Sequence, residues 1–274
     1  MNKSNHSRQQ KHTKRTSIKW GYYPEDILPV WIAEMDFPLA EPIKETLINI
    51  IENSDTGYPS PALENTLHDT FLRRMSNCFD WQPSDYPVVL FQDVVQSIFH
   101  IVNCFTQTDD KLITFTPIYP PFLEVGQKLK RSCTEIELSN YNGQYIIPWD
   151  TLRTAAKNAK MLLLCNPHNP TGRVFKQEEL EKLAEIVLEE NLLVVSDEIH
   201  ADLVYTPHQH IPFAKISPEI NRRTLTLTSA TKSFNLGGLR CALVAFGDEA
   251  LHKQCRQQPW QFRGGLNIMG IHAT

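Results

Sequence analysis

The sequence predicts an α/β domain built on a mainly parallel sheet, and three observations carry that prediction. Short, continuously apolar runs recur past residue 85. Stretches with helical periodicity alternate with them. Unusual polar clusters follow directly on three of the runs, where the carboxyl ends of parallel strands would open into a crevice.

The elements follow in order. Residues 93–105, "DVVQSIFHIVNCF", predict a helix whose apolar stripe is Val94, Val95, Ile98, Ile101, Val102 and Phe105. "KLITFTP", residues 111–117, predicts a strand ended by Pro117. "MLLLCNP", residues 161–167, is apolar throughout and suits a strand covered on both faces. "QEELEKLAEIVLEEN", residues 177–191, is the clearest helix, with Leu180, Leu183, Ala184, Val187 and Leu188 on one face and acids on the other. Residues 191–198 and 224–230 predict two further buried strands. No internal repeat or low-complexity tract competes with this reading.

Composition bounds the function. The 274 residues suit one large domain, or one domain and part of another, and 41% hydrophobic with 21% charged residues is ordinary for a globular enzyme. A net charge of -4 gives no general attraction to nucleic acid or anionic lipid. The first twenty residues carry Lys and Arg but no acid. A nucleic-acid arm or part of a transit peptide has such a composition; the simpler reading is a solvated terminus. No apolar core follows it, so it is not a secretory signal, and no apolar run reaches membrane-spanning length. The six cysteines are scattered without a CxxC pair and read as buried thiols of a reducing compartment, the cytoplasm.

The chemistry-bearing residues lie at Asn166–Gly172, Asp197–His200 and Ser229–Lys232. Lys232 taken alone is a surface lysine. Asp197 closes an apolar strand, so its carboxylate is poorly solvated and needs a cationic partner. "NPHNPTG", residues 166–172, taken alone is a loop of fixed turns. Together they suit a cofactor that forms an imine with a lysine, presents a ring nitrogen to an acid and carries a phosphate, which describes pyridoxal 5′-phosphate. His200, His208 and His210 lack acidic ligands and regular metal spacing, and no metal is expected.

An ordered set of segments makes the pattern more specific: "LPVWIAEMDF" (28–37), "TGYPSP" (56–61), "TPIYPPF" (116–122), "NPHNPTGRVF" (166–175), "SDEIHADLVY" (196–205) and "SATKSFNLGGLR" (229–240). In these the chain resembles fold-type I pyridoxal-phosphate enzymes of the aminotransferase class I/II superfamily. Within that superfamily it is similar to the MalY/PatB-type cystathionine β-lyases.

The resemblance implies a three-layer α/β/α large domain over residues 46–274. Residues 1–45 would be an N-terminal arm and small-domain segment, with the small C-terminal domain largely missing. It implies that Lys232 is the cofactor's attachment point and moves the Cα proton, and that Asp197 pairs with the ring nitrogen. Asn169 and His200 would lie near the ring's phenolic oxygen; histidine at that place, where the wider superfamily has tyrosine, favours the lyase branch. Tyr119 would stack on the ring and is a candidate donor to the leaving sulfur. Ser229, Arg240 and the backbone N–H groups of Val94 and Val95 would hold the phosphate. Tyr58 would reach the phosphate of a neighbouring subunit, which implies a homodimer.

Two departures stand out. The family has a small residue, often glycine, at the position of Asp93, where an acid is unfavourable beside a phosphate unless it turns away, for instance to cap the helix. The chain also stops where relatives continue into a domain that supplies the arginine for the substrate carboxylate. Three functions remain open on this reading: a carbon–sulfur β-lyase acting on cystathionine or another cysteine S-conjugate, an aminotransferase, or a non-catalytic remnant.

Overall fold

The computed structural model describes residues 16–274. The basic N-terminal stretch therefore lies, up to residue 15, outside the described residues. Ten α-helices and nine strands are assigned among those described. In chain order they are α1 (Ile18–Gly21), α2 (Glu41–Glu52), α3 (Pro61–Phe79), β1 (Val89–Phe91), α4 (Val94–Phe105), β2 (Lys111–Thr116), α5 (Pro121–Leu129) and β3 (Ser132–Glu137). There follow β4 (Ser139–Tyr141), β5 (Gln144–Ile146), α6 (Trp149–Ala156), β6 (Met161–Cys165), α7 (Gln177–Glu189), β7 (Leu193–Asp197), α8 (Pro218–Asn221), β8 (Thr224–Thr228), β9 (Ala242–Phe246), α9 (Glu249–Gln257) and α10 (Ile268–Ala273). The predicted α/β class holds. Seven strands form one sheet in the order β1-β9-β8-β7-β6-β2-β3, and β8, β7, β6, β2 and β3 are mutually parallel. β9 runs against both β8 and β1.

The continuous apolar runs are explained by burial on both faces. Side chains alternate across a strand, so neighbours face opposite layers. Leu112, Met161, Leu163 and Val195 join the core under α4, while Ile113, Leu162, Leu164 and Val194 join the core under α6 and α7. A third cluster packs Leu67, Phe71 and Met75 of α3 against Leu90 and Leu243 at the β1–β9 end of the sheet. Each fully buried leucine or isoleucine contributes about 1.5–3 kcal/mol, and helices on both faces give the three layers.

Two local expectations are corrected. Leu188 is 38% exposed, and Ile186 is buried in its place. Ile186 sits three residues past Leu183 and continues the inward stripe, whereas Leu188 borders an open groove beside Leu193, Glu219 and Arg222. The thiols are all free, but Cys78, near the end of α3, is exposed and Cys133 is only half-buried. The helix α2 spans positions 45 and 46, where the sequence reading divides the chain. No helix among the described residues is long and apolar enough to cross a membrane.

Candidate active site

Three strand ends converge. β6, β7 and β8 are parallel and in register, with Cys165 opposite Asp197 and Asp197 opposite Leu227, so the segments that follow leave the sheet along one edge. The ladder runs on past the strands: Asn166 N–H donates to the Asp197 carbonyl at 3.0 Å, and Glu198 N–H to that of Leu227 at 2.9 Å. The loop after β2 is tied in as well, since Tyr119 N–H donates to the Asn169 carbonyl at 3.2 Å.

Lys232 and Asp197, 35 positions apart in sequence, lie within electrostatic reach of one another. Asp197 is 5% exposed. Burial pushes its carboxyl up to about 7, the neighbouring Glu198 adds to the rise, and the Ile199 N–H and the Lys232 charge oppose it. Its Oδ1 accepts from Ile199 N–H at 3.1 Å. The same lysine acts on His200, whose pKa is lowered first by burial and then by the Lys232 charge, against the Pro167 carbonyl. That favours a neutral imidazole at neutral pH. Lys232 sits half-buried in the turn after β8, with no hydrogen bond or ion pair among the described residues. Tyr119 is 43% exposed. Burial raises its pKa, and the charges of Asp93 and Asp197 raise it further, so it stands within reach of both carboxylates.

Asp93 and Arg240 form the other end. Asp93 caps α4: its Oδ1 accepts from Gln96 N–H at 2.8 Å. Its Oδ2 accepts from Arg240 Nη1 at 2.5 Å. The N–H groups of Val94 and Val95, in the first turn of α4, have no partner among the described residues, as helix starts require unless a ligand or water serves them. Arg240 itself is left-handed, with φ +53°, and the carbonyl before it is held by Asn267 Nδ2 at 2.8 Å. Ser229 is buried; its hydroxyl lies 2.5 Å from the Cys241 carbonyl and 3.0 Å from Thr231 Oγ1. A hydroxyl has one proton, so in this conformation Ser229 is bonded within the protein. Tyr58 is fully exposed and makes no hydrogen bond among the described residues.

Several supporting residues escaped sequence reasoning. Asp202 accepts from Ser233 Oγ at 2.8 Å and from Arg74 at 2.5 Å, pinning the turn that carries Lys232. Asn235 pairs with both backbone groups of Met35 at 3.0 Å, fastening the N-terminal segment to the same turn. Glu198 accepts from Ser196 Oγ, Phe213 N–H and His210 Nε2. No pattern in the sequence signals these pairs, because their members are far apart or chemically ordinary. His210 is accounted for by Glu198, and the described residues hold no group of three or more His, Cys, Asp or Glu placed to bind a metal ion.

The donor set fits a phosphorylated pyridine aldehyde. It offers a lysine amine with no partner, a buried carboxylate with a single hydrogen bond, a neutral imidazole, and unpaired helix-start N–H groups beside an arginine.

Comparison with known proteins agrees. The aminotransferase class I and II family matches residues 32–260. A cystathionine β-lyase of Corynebacterium glutamicum is 33% identical over 262 residues, 95% of this chain and 68% of that protein. Among solved structures, cystalysin from Treponema denticola, which contains a pyridoxal 5′-phosphate cofactor, superposes with a TM-score of 0.88 at 29% identity, over 94% of this chain and 68% of that one. The pyridoxal-phosphate-bound C–S lyase of Staphylococcus hominis gives 0.86 at 28% identity, over 94% and 66%. The chain thus spans about two thirds of the length of these relatives.

Proposed function

The chain belongs to the aminotransferase class I and II family, and from that premise we propose that it is a pyridoxal 5′-phosphate-dependent carbon–sulfur β-lyase. Its substrate would be cystathionine or a related cysteine S-conjugate, cleaved with uptake of water to a thiol, pyruvate and ammonia. The observation that carries this reading is that Asp197, at the end of β7, is buried and Lys232, in the turn after the adjoining β8, is close enough for its charge to act on that carboxylate.

The bound cofactor supplies an electron-withdrawing ring that makes the Cα–H of a joined amino acid acidic. The protein's own groups do the rest. Lys232 anchors the aldehyde and then carries the proton at Cα, a role in which its freedom from hydrogen bonds is an advantage; such acid–base steps contribute roughly 10²–10⁴-fold. Asp197 holds the proton at the ring nitrogen. Asn169 and His200 would bind the phenolic oxygen, and Tyr119 would stack on the ring. Val94 and Val95 N–H groups, Arg240 and Ser229 would hold the phosphate, Ser229 only if its hydroxyl turned from the Cys241 carbonyl. Residues 46–274 would form the cofactor-binding domain.

A homodimer is part of the same proposal. Tyr58 is wholly exposed, as a residue reserved for a neighbouring subunit must be, and Tyr22, Tyr23 and Trp31 form a further exposed aromatic cluster in the N-terminal segment. Six free thiols favour the cytoplasm.

The test is pyruvate release from cystathionine by the cofactor-loaded chain with no keto acid added. Release that vanishes in Lys232→Ala supports the lyase. Turnover that requires a keto-acid acceptor means an aminotransferase, the second reading, which the family match also favours.

A further inference from the structure

We propose that Asp93 is a built-in rival of the cofactor phosphate: its carboxylate holds Arg240 Nη1 and caps the α4 start, so that a phosphate must compete with it for the guanidinium and for the helix start. This rests on the cofactor reading above. An ordinary capping carboxylate uses one oxygen on the helix and leaves the other to solvent. Here Oδ1 takes Gln96 N–H at 2.8 Å and Oδ2 takes Arg240 Nη1 at 2.5 Å. Those are two kinds of group, a helix-start N–H and an arginine, that bind phosphate elsewhere.

The arrangement is anchored from both sides. Gln96 reaches back to accept from Gln92 N–H at 3.0 Å, which closes the turn around Asp93. Arg240 cannot retreat by backbone movement, because Asn267 grips the Leu239 carbonyl and Gly270 packs so close to that carbonyl that a Cβ there would lie 2.1 Å from it. The guanidinium is therefore limited to side-chain rotation between two anions. A dianionic phosphate at the Val94 and Val95 N–H groups also stands near the Asp93 charge, and like charges at such range disfavour each other. The consequence is selective: Asp93 weakens binding of the phosphorylated aldehyde and leaves the unphosphorylated one untouched.

Absorbance titration of the cofactor-free full chain with pyridoxal 5′-phosphate and with pyridoxal tests this, in wild type and in Asp93→Asn, which keeps a capping side chain but no charge. We expect pyridoxal phosphate to bind Asp93→Asn at least tenfold more tightly, with pyridoxal affinity within twofold of wild type. Inorganic phosphate should raise the melting temperature of the variant more than that of wild type. Equal or weaker pyridoxal phosphate binding by the variant overturns the inference, and so does an equal gain for both aldehydes. Should Asp93→Asn fold poorly, Asp93→Ser is read by the same criteria. Borohydride trapping at Lys232 separates the two levels. Trapping in both proteins with equal affinities sinks only the role of Asp93, whereas no trapping in either sinks the cofactor reading and this inference with it.

Discussion

Asp197 and Glu198 are adjacent in sequence, equally buried at 5% and 3% exposure, and at the same strand end, yet the protein treats them differently. Glu198 turns to the layer that holds Phe213 and accepts from Ser196 Oγ and His210 Nε2 at 2.8 Å and from Phe213 N–H at 3.0 Å. Asp197 has the single bond from Ile199 N–H, and its pKa is pushed up by burial. A satisfied buried carboxylate ties loops together. A poorly satisfied one stores unfavourable charge that a cationic ligand can relieve. The difference fits Glu198 to the scaffold and supports the proposed place of Asp197 in the site.

The contrast can be broken in three ways. The largest effect is on turnover: Asp197→Ala is expected to lower the elimination rate by 10³-fold or more with little loss of folding stability. Equal rates in wild type and variant would remove Asp197 from the chemistry. Next in size, Glu198→Ala strands His210 and Phe213 N–H in the interior and is expected to cost about 3–5 kcal/mol in denaturant unfolding. A variant as stable as wild type would show that the network holds nothing.

The smallest effect is on pH dependence in the cofactor-free protein. The folded-state pKa of Asp197, about 7, lies above the ordinary 3.8. Between those values the folded chain binds more protons than the unfolded one, so this group makes stability fall as pH rises from about 4 to about 7. The fall is complete above 7, and its upper limit is about 4 kcal/mol. Asp197→Asn should flatten that part of the profile and raise stability at pH 8. An unchanged profile would mean that the carboxylate is better solvated than its burial implies.

Much of this was legible beforehand, for a physical reason. Strands β2, β6, β7 and β8 and helices α4 and α7 were readable because burial on one or two faces imposes a local period on the chain. The placement of Asn166, Asp197 and Lys232 followed, since parallel strands deliver their carboxyl ends to one edge. The β4–β5 hairpin carries a turn signal in Asn142 and Gly143, both at positive φ, but its strands are too short and exposed to show a period. The resemblance implies a phosphate role for Ser229, but nothing in the sequence shows the bond of its hydroxyl to the Cys241 carbonyl.

Sequence alone determined the alternation of β2, β6, β7 and β8 with α4 and α7, and pointed to the crevice beyond the carboxyl ends of those strands, because both depend on short-range pattern and on the direction of parallel strands. Only the tertiary structure decided which of two neighbouring acids would be saturated with hydrogen bonds and which left wanting. It alone joined Asp93 to Arg240, 147 positions apart. Hydrogen-bond partners are set by which layers meet, and the packing of layers leaves no periodic trace in the chain.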